Sequence, residues 1–358
     1  MTDRRPCWAA VLLCVALLAG ACTARDGEPS PSPRTTVGPV PATSTATART
    51  TPTPTRTPEP PSSPRAKVEA ANVLRDIGHL AGEIGPREAT SANFREAADF
   101  VERRFERLGY DVHRMTVRVP AGNSWGTPVR AGRSANVIAD PKGFDPSKPH
   151  LVVGAHLDTV PVAPGAEDNA SGVAVMLELA RLAAATRPGQ QTTGQQTTGQ
   201  QTTGQNRTDP KRAGLPVRFV AFGAEEPRGS GDALHHFGST QLVEDLTAAE
   251  RRAIRGMVAL DRVGVRASSV PVCTPPGGKG RGLQRAVRAA GRRVDVPTRA
   301  CANNTASDHW SYAKAGVSAI RLGSVPYAGY HSRGDVPKVV DRRQLDRVTT
   351  VMWEWLQG

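Results

Sequence analysis

Residues 150–180, HLVVGAHLDTVPVAPGAEDNASGVAVMLELA, decide the fold class. An apolar run, "LVVGA", stops at His156, and a Gly- and Pro-rich turn follows. Apolar residues then recur at helical spacing from about Gly172 to Ala185. That is one strand, one functional-looking loop and one helix. The unit repeats downstream: "PVRFVAFG" precedes a helix near Thr240 to Arg252, "GMVAL" precedes one near Gly282 to Ala290, and "VSAIRL" precedes one from about Arg342 to Leu356. Upstream, helical periodicity over Val68–Ala81 and Asn93–Leu108, the latter stopped by Gly109, leads into the strand-like stretches "YDVHRMTVRV" and "SANVIAD". Strand–helix alternation of this kind predicts an α/β fold, a central β-sheet flanked by helices on both faces.

The polar residues at the strand ends carry the chemistry. "LVVGA" leads into His156, "VRFVAFGA" into Glu225 and Glu226, "GMVAL" into Asp261, and "VSAIRL", one loop later, into Tyr330-His331. In open α/β sheets the functional crevice lies beyond the carboxyl ends of the strands. Four strands therefore aim metal-ligand residue types at one edge, where chance accounts for one or two. Asp168, just before a helix whose first turn is small (Ala170, Ser171, Gly172), reads alone as a helix-capping acid. Beside His156 it becomes the natural bridging carboxylate. Glu225 and Glu226 are adjacent, so their side chains diverge: one can bind a cation while the other serves as a base. Two zinc ions against the carboxylates of Asp168, Glu226 and Asp261 and one hydroxide balance to neutrality, which matters because buried net charge is costly. His156 and His331 add one nitrogen each, giving the mixed nitrogen and oxygen set that suits zinc. Asp158, two residues past His156, can accept the other ring N–H of that histidine and fix its tautomer.

Taken together, "GAHLDT", "EDNASGVA", "FVAFGAEE", "ALDRVG", "SDHWSYAKAGVSAI" and "YHSRGD" resemble the M28 family of zinc exopeptidases, in the family's order and near its spacings. The likeness reaches back through "IGPREATSANFREAADFVERRFERLGYDV". It implies a mixed sheet and an aminopeptidase-like hydrolase acting on peptides through two zinc ions bridged by Asp168. It pairs His156 with Asp261 on one metal and Glu226 with His331 on the other. Glu225 matches the general base, and Tyr330 matches a tyrosine that in some members steadies the tetrahedral intermediate. Arg262 departs from the family, whose members often carry an apolar residue after this aspartate, and "PRGSGDALHHFGS" after Glu226 is longer and more polar than usual. His235, His236 and His309 are expected on the surface or behind the ligands. "HLDTVP" is also similar to the M20 carboxypeptidase-like family, whose bridging aspartate lies much further along. A single-zinc glutaminyl cyclase and a non-catalytic binding domain on the same scaffold remain alternatives; all five ligand positions of a two-metal site are filled.

The rest of the chain concerns location. Residues 1–22 carry Arg4 and Arg5, an apolar run from Trp8 to Leu18, and Ala19-Gly20-Ala21-Cys22. This is an export signal, with the run short of the ~20 residues a membrane span needs. Cleavage after Ala21 and lipidation at Cys22 compete; the long tether favours a lipid anchor at the cell membrane, with the domain at the cell surface. Residues 23–65, rich in Pro, Ser and Thr, are expected to stay extended, so residues 66–358 form the peptidase domain. Residues 189–205 repeat "GQQTT", a low-complexity loop without chemistry. Outside the signal only Cys273 and Cys301 remain, the pair available for a disulfide in an exported protein. The formal charge of +13 raises nucleic-acid binding. Scattered Arg, no basic helix and 4% aromatic residues argue against it and leave a basic surface.

Overall fold

In the computed structural model, residues 67–186, 214–323, 327 and 329–358 are described. The expected export signal with Cys22, the expected tether and the GQQTT repeats lie outside the described residues.

Eight strands form one mixed sheet. At its centre lie four parallel neighbours: β6 (Val217–Phe222), β5 (His150–His156), β7 (Ile254–Leu260) and β10 (Ala319–Leu322). On one side β4 (Gly132–Asp140) pairs antiparallel with β6, and β1 (Asp111–Val119) antiparallel with β4. On the other side β8 (Val270–Cys273) runs antiparallel to β10, and β9 (Thr298–Cys301) parallel to β8. A separate short hairpin, β2 (Gly122–Ser124) and β3 (Thr127–Val129), projects between β1 and β4 in the chain.

Successive strand residues point to opposite faces, and the core divides accordingly. Val153, Phe219, Val258 and Ile320 face one buried cluster. It is shared with α1 (Ala70–Ile77), α2 (Ala92–Arg107), α3 (Ser171–Ala185), α6 (Arg281–Arg293) and α8 (Arg342–Leu356). Val152, Val220, Met257 and Ala319 face a second cluster with α4 (Phe237–Asp245) and α7 (His309–Lys314). Helices cover both faces, and the central strands are buried except at Leu151 and Arg255 near their starts. α2 shows why a stretch becomes helix: Phe94, Ala97, Ala98, Val101 and Phe105 make one buried stripe, Ser91 caps the first turn, and Gly109 leaves it at φ 76°.

Three sequence readings need correction. The helix expected over Thr240–Arg252 is two, α4 and α5 (Ala248–Ala253), because the Thr247 side chain accepts from Glu250 N while Glu250 caps Thr247 N, starting a new helix there. One helix is basic after all: α6 carries Arg281, Arg285, Arg288, Arg292 and Arg293 and no acid, its apolar side packed as Leu283, Val287 and Ala290. Finally β8, β9 and α7 were not anticipated; runs of four to six residues are too short to show a period. Cys273 and Cys301 are joined by a disulfide across paired positions of β8 and β9. Among the described residues no helix is long and apolar enough to cross a membrane.

Candidate metal centre

The four central parallel strands end at one edge, and each delivers its acid or histidine there. His156 is the last residue of β5, and Asp261 follows the last of β7. Glu225 and Glu226 follow β6 by a tight turn through Ala224 (φ 58°), and His331 (φ 51°) comes from the loop after β10. Asp168 enters from the loop before α3. Gly172 makes that loop's close seat possible: a Cβ there would lie 2.3 Å from the Leu260 carbonyl oxygen.

Asp168 sits at the middle of the group. Its Oδ1 is 3.1 Å from His156 Nε2 and its Oδ2 is 3.1 Å from His331 Nε2. His156 Nε2 also lies 3.9 Å from Asp261 Oδ1, and His331 Nε2 lies 3.3 Å from Glu226 Oε2. Two ligand sets result, His156–Asp168–Asp261 and Asp168–Glu226–His331, each with its donor atoms within 4.8 Å of one another. His156, Glu225 and Glu226 form a third, overlapping set. Every one of the five predicted ligands is in the cluster.

The electrostatics call for cations. Burial, then Asp168 and Glu225, push the Glu226 carboxyl well above its ordinary value. Burial opposes charge on His156, yet Glu225, Asp168 and Asp261 raise it well above the usual histidine value. The buried atoms Glu226 Oε1 and Asp261 Oδ1 have no hydrogen-bond partner. Crowded carboxylates with open lone pairs, alternating with histidine nitrogens, fit divalent metal of the zinc kind.

What holds the ligands is mostly backbone. The Asp158 carboxylate accepts from Glu225 N and Glu226 N, both at 3.0 Å, and so clamps the turn that presents the two glutamates. This corrects the role expected for Asp158: His156 Nδ1 faces the Asp158 carbonyl oxygen at 3.1 Å, while the carboxylate stays 3.8 Å away. Held by one N–H on each oxygen, the carboxylate faces the glutamate turn and lies beyond hydrogen-bond reach of the ring. Asp335 does the same for the Asp168 loop, accepting from Glu167 N at 2.8 Å and Asp168 N at 3.1 Å. The fully buried Arg87 guanidinium ties the helical segment at Leu80 and Gly85 to the loop after β5 through the carbonyls of Leu80, Gly85, Leu157, Pro164 and Gly165. Burial pulls its pKa down to about 10.

Around the ligands a cavity of ≈ 220 Å³ has walls of which the sequence pointed to Tyr330, Arg262 and the His235–His236 pair but not to Trp125. Trp125, at the tip of the β2–β3 hairpin and 59% exposed, stands edge-on to His331 at 4.5 Å. His236 is buried in the wall, not on the surface, with Nε2 3.2 Å from Glu225 Oε1. Asp308, buried behind it, is raised to about 7 by burial and by Glu225. Tyr330 stacks on the His331 ring at 3.7 Å. Arg321 Nε lies 3.1 Å from Asp261 Oδ2, and Arg262 Nε 3.4 Å from Asp261 Oδ1. His309 is buried and its Nε2 faces the Asn304 carbonyl, away from the ligands. His235 lines the cavity but is half-buried and no member of the ligand sets.

Solved structures share this fold. The zinc aminopeptidase BSAP of Bacillus subtilis superposes with a TM-score of 0.64 at 17% identity, covering 81% of this chain and 94% of that one. A glutaminyl cyclase of Porphyromonas gingivalis gives 0.64 at 21% identity, covering 81% and 98%. Residues 136–356 match peptidase family M28, and the chain belongs to that family. Aminopeptidase YwaD of Bacillus subtilis is 29% identical over 235 residues, 62% of this chain and 44% of its own length. Leupeptin-inactivating enzyme 1 of Streptomyces exfoliatus is 29% identical over 208 residues, 58% and 38% respectively. The chain thus spans less than half the length of these two relatives.

Proposed function

We propose that this protein is a metallopeptidase that removes residues from the free amino end of peptides, using two zinc ions held by His156, Asp168, Glu226, Asp261 and His331. One observation carries the reading: Asp168 offers one oxygen to each of two histidine-containing ligand sets, at 3.1 Å on both sides. Divalent cations bound there supply Lewis acidity that polarises the scissile carbonyl and lowers the pKa of the attacking water.

Glu225 is the general base. In the metal-free protein burial opposes its ionisation while His156 and His236 hold it below its ordinary value. With His156 neutral as a ligand, bound cations would supply the positive charge that keeps Glu225 ionised and able to accept a proton. It takes the proton of the water and returns it to the leaving amine. The Asp158 clamp on its backbone fixes where that carboxylate hangs. Burial raises the Tyr330 phenol, which therefore stays protonated and can donate to the developing oxyanion. The test is hydrolysis of aminoacyl chromogenic amides by the full chain with and without chelator, alongside metal analysis. Two equivalents of zinc and chelator-sensitive turnover are expected; turnover indifferent to chelator would refute the reading.

A second reading has its own observation. Asp261 is flanked by both Arg262 and Arg321, which hold its carboxyl well below the usual range against burial. Such an acid binds a cation less strongly, leaving Asp168, Glu226 and His331 as a single-metal site of the glutaminyl cyclase kind. One equivalent of zinc, with ammonia released from glutaminyl peptides, would establish it instead. Export through residues 1–22 and lipid anchoring at Cys22 belong to the same proposal. The Cys273–Cys301 disulfide supports an oxidising compartment. Mass spectrometry of the mature amino terminus tests the anchor.

A further inference from the structure

We infer that Arg262 is a specificity residue that binds a substrate carboxylate beside the scissile bond. The inference rests on the peptidase reading above and extends it to a class of substrate.

Arg262 directly follows the ligand Asp261, in the left-handed backbone region (φ 56°), with its N–H donating to Asn169 Oδ1 at 3.3 Å. That turn lays the side chain along the cavity wall instead of into the apolar core. The residue is only 4% exposed, its guanidinium lies 4.8 Å over the Tyr330 ring, and Nε has no hydrogen-bond partner. Its polar contacts are long ones, Nη1 to Asp168 Oδ2 at 3.5 Å and Nε to Asp261 Oδ1 at 3.4 Å.

A purely structural role does not account for this cation. Asp261 already has a buried arginine: Arg321 Nε is 3.1 Å from Oδ2, and Arg321 Nη2 donates to the Asp261 carbonyl at 3.2 Å. The two acid oxygens facing Arg262 belong to the metal ligand sets, and bound cations compete for them and repel the guanidinium. A planar fork of donors, buried and steadied by an aromatic face, is then left to the cavity. Carboxylate is the group that such a fork matches in two parallel hydrogen bonds. Asp232, the acid of the wall outside the ligand cluster, already meets Trp310 Nε1 at 2.9 Å and Lys314 Nζ at 2.7 Å, so its charge is partly balanced and favours a basic substrate side chain less than an unpaired acid would.

The carboxylate has two sources, the side chain of an amino-terminal Glu or Asp, or the free carboxyl end of a peptide. The full chain loaded with zinc is assayed on Glu-, Asp-, Leu- and Lys-4-nitroanilides, and on amino-blocked dipeptides with free or amidated carboxyl ends. Calorimetry of free glutamate against leucine on the zinc-loaded Glu225→Gln protein reads binding without turnover. Acidic amides should exceed Leu by about tenfold or more in kcat/KM. Arg262→Met should cost about 100-fold on acidic substrates, the scale of removing one partner of a buried charge pair, with metal content unchanged. Arg262→Lys, which retains charge but not the fork, should fall between and covers the case in which the Met variant does not fold. If only blocked dipeptides with a free carboxyl end are cleaved, and Arg262→Met removes that dependence, the carboxylate anchor stands and the amino-end reading falls. If Leu amides are cleaved as well as Glu amides, and both Arg262 variants leave the ratio and the glutamate affinity unmoved, the anchor is overturned and the amino-end reading survives.

Discussion

The floor and the wall of the same cavity were built in different ways. The floor is assembled largely by topology: four neighbouring parallel strands end together, three of them hand over His156, Glu225–Glu226 and Asp261 within four residues of their last position, and the loops after β5 and β10 add Asp168 and His331. The wall is assembled by loops. Trp125 sits on a hairpin tip, His236 before α4, Arg262 after β7, and Tyr330 in the loop after β10. Among the described residues seven non-glycine positions have positive φ, and five of them, Trp125, Ala224, His236, Arg262 and His331, lie in or beside this cavity. Such backbone persists only where surrounding contacts over-determine it. On the proposed function, metal binding draws chiefly on the ends of the sheet strands, while selection of substrate falls to the loops of the wall. Changes to the floor should therefore act on metal and turnover, and changes to the wall on substrate recognition.

The sharpest test of that division is removal of the floor's chemistry. Chelation should abolish turnover and added zinc should restore it. Glu225→Gln should retain metal by mass spectrometry and lose about 10²–10⁴-fold in kcat. A Glu225→Gln protein that turned over normally would move the base elsewhere and dissolve the comparison. Next in size is Arg87→Met. It strips five carbonyls of their buried donor, and a loss of about 3–5 kcal/mol in denaturant unfolding is expected. Asp158→Asn keeps the shape but weakens the clamp on Glu225 and Glu226. Zinc affinity should fall about 10–100-fold, measured by competition with a chromogenic chelator.

The same division explains what the sequence disclosed. His156, Asp261 and the Glu225–Glu226 pair were legible because each follows a buried apolar run long enough to read as a strand, so the strand's end marks the ligand's place. His331 needed a loop to be crossed, and Asp168 was convincing only beside His156. In the wall, Tyr330 and Arg262 showed through the family resemblance, and the rest left no comparable signal. Trp125 follows a three-residue strand, and the contact between His236 and Glu225 joins residues whose separation in the chain fixes no geometry. Arg321 was visible only as a charged residue inside "VSAIRL". A buried strand tolerates such a residue when an acid meets it, as Asp261 does. Asp158 was located correctly but given the wrong partner, because residue spacing cannot tell a carboxylate from the carbonyl of the same residue.

Acid and alkaline limits of the metal-free protein should separate two buried acids, Asp261 on the floor and Asp308 behind the wall, by sign. On the floor, Asp261 is held ionised by Arg262 and Arg321, with its folded pKa below the unfolded one. It contributes stability above about pH 4, lost as pH falls. In the wall, burial and Glu225 raise Asp308 from 3.8 to about 7. The native state there holds the proton more tightly than the unfolded chain, so that contribution is complete below about pH 4 and disappears as pH rises through about 7. Thermal melts of chelated protein should show both slopes, and Asp308→Asn should flatten only the upper one. A variant that flattened the acid slope instead would overturn the assignment of the upper one to Asp308.

The smallest effect belongs to the wall's most exposed member. Trp125 is 59% in solvent and makes edge contacts to Tyr330 at 5.9 Å and His331 at 4.5 Å, so little folding energy depends on it. Its large apolar face at the cavity mouth has a physical use only when something covers it. Trp125→Ala should leave melting temperature and zinc content unchanged and raise KM about three- to tenfold, with kcat near that of the unmodified protein. A fall in kcat with KM unmoved would mean that the hairpin tip positions His331, a ligand, and that the boundary between wall and floor runs through that ring contact.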